Sequence, residues 1–356
     1  MTRALNYGKI HKGVIMLGKK GVYLITDEAT RLYFTGYSST DGYLLLVDGG
    51  GYFVIDSRYF YAAKRALKNK PYRIVNGSFS KVCELISECG QTALYIDFSK
   101  TDMETAQKLA FLGVELKNCK EEIEEARVVK TDCEIKKIKR ACSIAERSLK
   151  AVIPFIKEGV TESYIAALLE CEFKKRGAEN PSFDTIVAFG ENSAVPHHGT
   201  GQTRLKRNSV VLIDFGCKYK GYCSDITRTM FFGKPSKEFI ATYDLVNVAF
   251  DAAYNGIKEG MSGRIADAIA RDTLKISGLD GYFTHSLGHG IGVNIHEEPY
   301  LSKKGERQLL DKMVFSIEPG AYLDGKFGIR IENTVVLSGG KVESLVSLGR
   351  KLIIIK

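Results

Sequence analysis

No stretch of this chain approaches the roughly 18–20 consecutive apolar residues that a membrane span requires, so no spanning segment is expected. Between Met1 and Lys20 the chain is interrupted by Arg3, Lys9, His11 and Lys12 before any signal-peptide core is complete. No leader is read there, and the expected address is cytoplasmic. The eight cysteines, at 83, 89, 119, 133, 142, 171, 217 and 223, include no CxxC pair and no even spacing. That pattern argues against a zinc ribbon or a disulfide framework and for reduced thiols. Basic residues outnumber acidic ones by 51 to 42, giving a net charge of +9. Yet the densest basic runs (Lys136, Lys137, Lys139 and Arg140; Arg204, Lys206 and Arg207) are not interleaved with aromatics as a base-stacking surface would be. They read as solvated faces, and neither nucleic acid nor membrane is expected as a partner.

What is present is the material of a globular protein: 356 residues, 44% of them apolar, enough at roughly 100–200 residues per domain for two domains with buried cores. From about Val22 to Leu116, strand-like runs (Val22–Thr26, Gly42–Val47, Tyr52–Asp56, Tyr72–Val75, Ala93–Asp97) are joined by helix-like ones (Tyr59–Leu67, Lys81–Cys89, Asp102–Leu112). This alternation predicts an α/β domain with a partly parallel sheet over residues 1–125. It shows no ligand spacing, and a structural or substrate-restricting role is expected of it. The second domain is expected over 126–356. Thr131 and Glu134 have the form of a capping box, and the apolar stripe Ile135, Ile138, Cys142, Ala145, Leu149, Val152 and Ile156 predicts a long helix after it. Within this domain, residues 156–166 echo residues 257–266 at an offset of 101 positions (Ile156 to Ile257), which suggests a duplicated half-domain.

Five of the six histidines (His197, His198, His285, His289 and His296) fall in this second domain. A lone histidine is usually a hydrogen-bonded core residue, but here carboxylates share the neighbourhood. Val210 to Met230 reads as an antiparallel hairpin turning near Tyr219 and Lys220, with Asp214 and Asp225 equidistant from the turn and facing each other. Two like charges so placed call for something positive between them, and a divalent cation supplies it. Val314 to Asn333 repeats the symmetry: Asp324-Gly325 signals a turn, Glu318 and Glu332 flank it, and Pro319 and Gly320 suggest a bulge. Two solvated acids on one hairpin are the alternative there, although both follow an isoleucine in apolar strands. Four carboxylates and an imidazole suffice for two divalent ions ~3.5–4 Å apart with a bridging water or hydroxide. Mainly oxygen ligands favour Mn(II), while imidazole also suits Zn(II), Co(II) or Fe(II). Cys217 and Cys223 lie nearby, but strand alternation aims them away from the aspartates.

Ile213-Asp214-Phe215-Gly216, Cys223-Ser224-Asp225-Ile226-Thr227-Arg228-Thr229, Gly288-His289-Gly290-Ile291-Gly292, Ser316-Ile317-Glu318-Pro319-Gly320 and Gly328-Ile329-Arg330-Ile331-Glu332-Asn333 together resemble the successive signatures of the pita-bread metallopeptidases. The resemblance is to the branch of aminopeptidase P and the Xaa-Pro dipeptidases. It implies a creatinase-like α/β N-terminal domain, then an α+β pita-bread catalytic domain with an internal pseudo-twofold duplication. It implies Asp214, Asp225, His289, Glu318 and Glu332 as metal ligands, with Asp225 and Glu332 bridging both ions, and hydrolysis of the Xaa-Pro bond by a metal-activated hydroxide. His197, taken in preference to His198, matches a histidine near the substrate, and His296 one that steadies the tetrahedral intermediate. His285 matches a position lining the proline pocket, and Arg330 an arginine that holds the network. Glu318 has a second expected role as proton shuttle. A peptide with proline in second position is the implied substrate, and a homodimer the implied assembly. Metal-free pita-bread relatives, acting as creatinase-like hydrolases or binding modules, form the alternative.

Overall fold

The computed structural model describes residues 10–11, 14–15, 17, 21–47 and 50–356. The N-terminal stretch read above for the absence of a leader therefore lies for the most part outside the described residues. The chain divides into two compact units, residues 1–127 and 128–356.

The first unit is built on a six-stranded mixed sheet in the order β4-β3-β2-β1-β5-β6, made of β1 (Val22–Ile25), β2 (Tyr43–Val47), β3 (Gly50–Ile55), β4 (Tyr72–Asn76), β5 (Ala93–Ile96) and β6 (Glu115–Asn118). β1 with β5, β3 with β4, and β5 with β6 run parallel. Successive strand residues go to opposite faces: Tyr23, Ile25, Leu44 and Phe53 enter one core, and Val22, Leu24, Leu45 and Val54 the other. Helices α1 (Glu28–Thr35), α2 (Ser57–Ala66), α3 (Phe79–Glu88), α4 (Met103–Ala110) and α5 (Lys120–Val128) join or follow the strands. Two elements, α1 and β6, went unread in the sequence. The side chain of Asp27 caps α1 by accepting from the Thr30 amide, a signal that the sequence does carry.

In the second unit the Thr131–Glu134 capping box is formed, and it opens α6 (Asp132–Val152). Ile138, Cys142, Ala145, Leu149 and Val152 are buried, while Lys136, Lys139 and Arg140 face solvent. The 101-residue echo is an architectural repeat. Helix α7 (Glu162–Lys175), capped by Thr161, and α9 (Gly263–Ile276), capped by Ser262, are equal in length and displaced by that offset at both ends. Gly159 and Gly260 precede them at the same φ of 85°. Each half then lays down an antiparallel strand pair: β8 (Ser209–Phe215) with β9 (Ile226–Phe232), and β12 (Val314–Ile317) with β15 (Asn333–Ser338). The first pair belongs to a sheet completed by β7 (Ile186–Phe189) beside β8 and by Ile354–Ile355 beside β9. In the second, β10 (Gly288–Gly290) and β11 (Glu297–Leu301) extend the sheet beyond β12. Helix α8 (Lys237–Gly256) and α9 bury Phe239, Val246, Phe250 and Ala266 in one core with Phe315 and Ile317 of β12.

The first hairpin differs from its sequence reading. Its turn is Lys220-Gly221, with φ of 48° and 78°, one residue later than expected. A two-residue turn with φ > 0 at both central positions is of the type I′ kind, and Gly221 adopts its share without a Cβ penalty. Asp214 therefore pairs with Thr227 rather than facing Asp225. The partner moves by two residues, so the parity of the strand is kept and both aspartates stay on one face. The second hairpin keeps the expected symmetry, and the expected bulge is not formed. Ile317 pairs with Asn333, and Gly320 of β13 (Gly320–Leu323) pairs with Arg330 of β14 (Phe327–Arg330), in one continuous register. Pro319, which has no N–H to donate, interrupts the ladder there without inserting a residue.

Candidate active site

The acids sit where strands begin or end. Asp214 is the penultimate residue of β8, Asp225 directly precedes β9, Glu318 follows β12 and Glu332 precedes β15. His289 lies in β10, drawn against β12 because Gly288 leaves no room for a side chain: a Cβ there would lie 2.0 Å from the carbonyl oxygen of Ser316. These five residues line one cavity of about 810 Å³ together with His197, His198, His285, His296 and Arg330. All the residues singled out from the sequence are thus brought together. Ligand atoms of Asp225, His289 and Glu332 lie within 4.8 Å of one another. His289 Nε2 is 3.5 Å from Asp225 Oδ2 and 3.4 Å from Glu318 Oε1. Asp214 is held by Arg330, whose Nη2 donates to its Oδ2 at 2.7 Å.

Several residues that the sequence reading missed hold this group in place. The Thr227 hydroxyl donates to Glu332 Oε2 at 2.7 Å and accepts from Arg330 Nε at 3.0 Å. Thr334 Oγ1 accepts from the Asp225 amide and donates to the Asp225 carbonyl. Each threonine lies two residues after one acid and serves the other, so the repeated spacing Asp225–Thr227 and Glu332–Thr334 was a readable signal. Ser316 donates to Glu318 Oε1 at 3.0 Å and accepts from the His289 amide at 3.1 Å. Arg330 Nη1 donates to the Tyr322 hydroxyl at 2.7 Å. That hydroxyl's own proton then goes to His285 Nε2, 2.8 Å away, and His285 Nδ1–H donates to the Ser286 carbonyl. The chain of donors fixes His285 as the neutral Nδ1–H tautomer, and burial pushes its pKa down to about 3. His198 Nε2 is engaged by Glu162 at 3.0 Å, leaving His197 the more exposed of the adjacent pair. The rings of His289 and His296 meet edge to face, with centroids 4.3 Å apart. Cys217 and Cys223 are buried against the carbonyls of Ala141 and Val293, and neither lines the cavity.

The site carries more negative charge than the protein neutralises. Burial, then the neighbouring acids, push the carboxyls of Asp225 and Glu332 well above their usual range. Burial raises Glu318 to about 8 against the opposing pull of Arg330. Burial also lowers His289 to about 4, so that it is neutral and free to offer a lone pair. Asp214 Oδ1 and Glu332 Oε1 are buried without a hydrogen-bond partner. Buried, unpartnered carboxylate oxygens beside a neutral imidazole fit divalent cations of the Mn(II) or Zn(II) type. A pH effect follows. The raised acids bind protons in the folded state that the unfolded chain has released, so without a cation stability falls as pH rises toward about 8. The lowered histidines oppose this only below their ordinary value of 6.5. Thermal melts in chelator should therefore decline from about pH 6.5 to 8, and added Mn(II) should reverse the decline.

Comparison with known proteins bears on the family and the fold. Residues 136–338 match the model of metallopeptidase family M24, and residues 19–129 that of the creatinase/prolidase N-terminal domain. The chain belongs to metallopeptidase family M24. Its fold is the expected one, a creatinase-type N-terminal domain followed by an M24 pita-bread catalytic domain. This M24 chain is 35% identical over 321 residues to the Xaa-Pro dipeptidase of Pyrococcus furiosus, covering 90% of itself and 92% of that relative. The structure of an Xaa-Pro dipeptidase from Bacillus anthracis superposes with a TM-score of 0.90 at 35% identity, covering 94% of each chain. That of an X-Pro aminopeptidase from Thermotoga maritima does so with 0.88 at 34% identity, over 94% of this M24 chain and 98% of the other. Among the described residues no helix is long and apolar enough to cross a membrane.

Proposed function

We propose that this metallopeptidase hydrolyses the Xaa-Pro bond, at the N-terminus of peptides or in dipeptides. The observation that carries the reading is the gathering of Asp214, Asp225, His289, Glu318 and Glu332 around one cavity. Buried carboxylate oxygens there have no partner from the protein. The named activities of the Pyrococcus furiosus, Bacillus anthracis and Thermotoga maritima relatives support the choice of bond. Asp214, Asp225, His289, Glu318 and Glu332 would hold two divalent ions, Mn(II) by the predominance of oxygen ligands, and Asp225 and Glu332 would serve both. When bound, the ions supply a water acidified toward neutral pH and polarisation of the scissile carbonyl.

The protein's own groups do the rest. Glu318 accepts the proton that the attacking water loses and delivers it to the proline nitrogen as the C–N bond breaks. His296 donates a hydrogen bond to the developing oxyanion, and His197 contacts the bound peptide. His285, held neutral by Tyr322, lines the proline subsite without adding charge to it. Arg330 fixes Asp214 and Thr227 and keeps the carboxylates in register. Eight free cysteines support a cytoplasmic address, and the family resemblance supports a homodimer.

Hydrolysis of Ala-Pro, Ala-Pro-Ala, Met-Ala-Ala and creatine, with Mn(II) and after chelation, tests the reading. Chelator-sensitive cleavage of Ala-Pro alone makes the enzyme a dipeptidase, and cleavage of Ala-Pro-Ala before proline makes it an aminopeptidase. No cleavage of any member, with no bound metal, would overturn the peptidase reading in favour of the metal-free alternative.

A further inference from the structure

Glu162 is fully buried at the start of α7, and among the described residues no lysine or arginine is paired with it. Its carboxylate is filled by four donors from the end of β7 and the segment that follows it. Oε1 accepts from the Phe189 amide at 2.9 Å and from Asn192 Nδ2 at 2.8 Å. Oε2 accepts from the Gly201 amide at 3.1 Å and from His198 Nε2 at 3.0 Å. The Glu162 and Ser163 amides donate in return to the carbonyls of Thr203 and Gly201. Both ends of the loop that carries His197 and His198 into the cavity are therefore tied to one side chain.

The internal duplication shows that the fold itself does not require this acid. At the equivalent place in the second half stands Gly263, where a Cβ would lie 2.0 Å from the Tyr300 carbonyl oxygen. The helix there starts with the same kind of cap after the same left-handed glycine. The second half, whose helix starts without this acid, presents His285, His289 and His296 to the same cavity, so the hold by Glu162 is particular to the loop of the first half.

We propose that Glu162 is a positioning residue for substrate binding, holding His198 as its Nε2–H donor and thereby setting the loop that presents His197 to the peptide. Only an ionised carboxylate accepts from two backbone amides, an amide group and an imidazole N–H together. A glutamine in its place turns an NH₂ group toward donors that it cannot satisfy, and the loop must shift. This proposal rests on the peptidase reading above.

The test is Glu162→Gln, studied in the full-length, Mn(II)-loaded protein beside wild type. Metal content is expected to be unchanged. KM for the cleaved Xaa-Pro peptide is expected to rise about tenfold or more, with a smaller fall in kcat. In histidine-selective NMR spectra of the zinc-loaded, diamagnetic protein, the slowly exchanging Nε2–H signal of His198 should be present in wild type and lost in the variant. His198→Phe, at a partly exposed position, should raise KM likewise, and His198→Gln, which keeps an N–H donor, should restore much of the loss. Wild-type KM in both Glu162→Gln and His198→Phe, or a His198 signal that survives in Glu162→Gln, overturns the proposal. If Glu162→Gln does not fold, His198→Phe against His198→Gln decides it. Failure of the wild-type enzyme to cleave any peptide would instead defeat the peptidase reading, and the His198 signal would still judge the hold by Glu162.

Discussion

Asp225→Asn should abolish Xaa-Pro hydrolysis, lowering kcat by at least about 10³-fold, while leaving the fold intact. Asparagine keeps the volume and one carbonyl oxygen but removes the charge that two cations would share. The backbone of residue 225 stays pinned by Thr334 through both its amide and its carbonyl, so the strand should not move. Bound metal should fall below two ions per chain. Stability without metal should move the other way. The Asp225 carboxyl is pushed up by burial and then by Glu332, Asp214 and Glu318, so neutralising it relieves repulsion. The metal-free variant is expected to melt at or above the temperature of metal-free wild type near pH 8. A variant that loses activity by losing its structure would do the reverse. Retained wild-type turnover and metal content would sink the assignment of Asp225 as a shared ligand. The opposed signs express a common trade: a site that holds cations tightly keeps like charges close and is destabilised without them.

Arg330→Met should combine a loss of about 10²–10³-fold in turnover with a loss of stability. Arg330 is 3% exposed and is the guanidinium that faces the acids, donating to Asp214, Thr227, Tyr322 and the Pro196 carbonyl. Methionine fills much the same space but removes every one of these donors. Removing one partner of a buried ion pair typically costs about 3–5 kcal/mol, because the remaining charge is left uncompensated. Added Mn(II) should recover part of that loss by supplying positive charge beside Asp214, but it should not recover kcat, since the hold on Tyr322 and Thr227 is gone. Melts with and without Mn(II), read beside kcat, separate the two contributions. Equal melting temperatures for variant and wild type in chelator would show that the acids do not depend on Arg330 for compensation.

The parts of this molecule legible in the sequence are those set by neighbours along the chain. The Thr131–Glu134 box is a contact across three residues, and it opens α6 as read. The second hairpin turns at Asp324 to Lys326, and local turn chemistry was enough to predict Glu318 and Glu332 as symmetric about it. The same kind of reasoning missed by one residue in the first hairpin. The left-handed pair there is Lys220-Gly221, and a shift of one position in the turn moved the partner of Asp214 from Asp225 to Thr227. Helix α1 and strand β6 were lost because short elements at the edge of an alternating pattern carry little periodicity of their own.

The sequence by itself determined the inventory of chemistry: four acids on two hairpins, an imidazole in a glycine-rich run, a duplicated helix start, and no cysteine pattern to compete for metal. Tertiary structure alone decided who holds whom. Arg330 meets Asp214 across 116 positions, Thr227 meets Glu332 across 105, and Glu162 meets His198 across 36. Such pairs are fixed by tertiary packing, the first two by how the half-domains close on each other and the third by how the loop folds back within its half, and side-chain type places no constraint on a partner so distant in the chain. Desolvation is likewise a property of the closed fold. The same carboxyls that would ionise freely in an extended chain are driven toward their protonated forms only once the strands have buried them together.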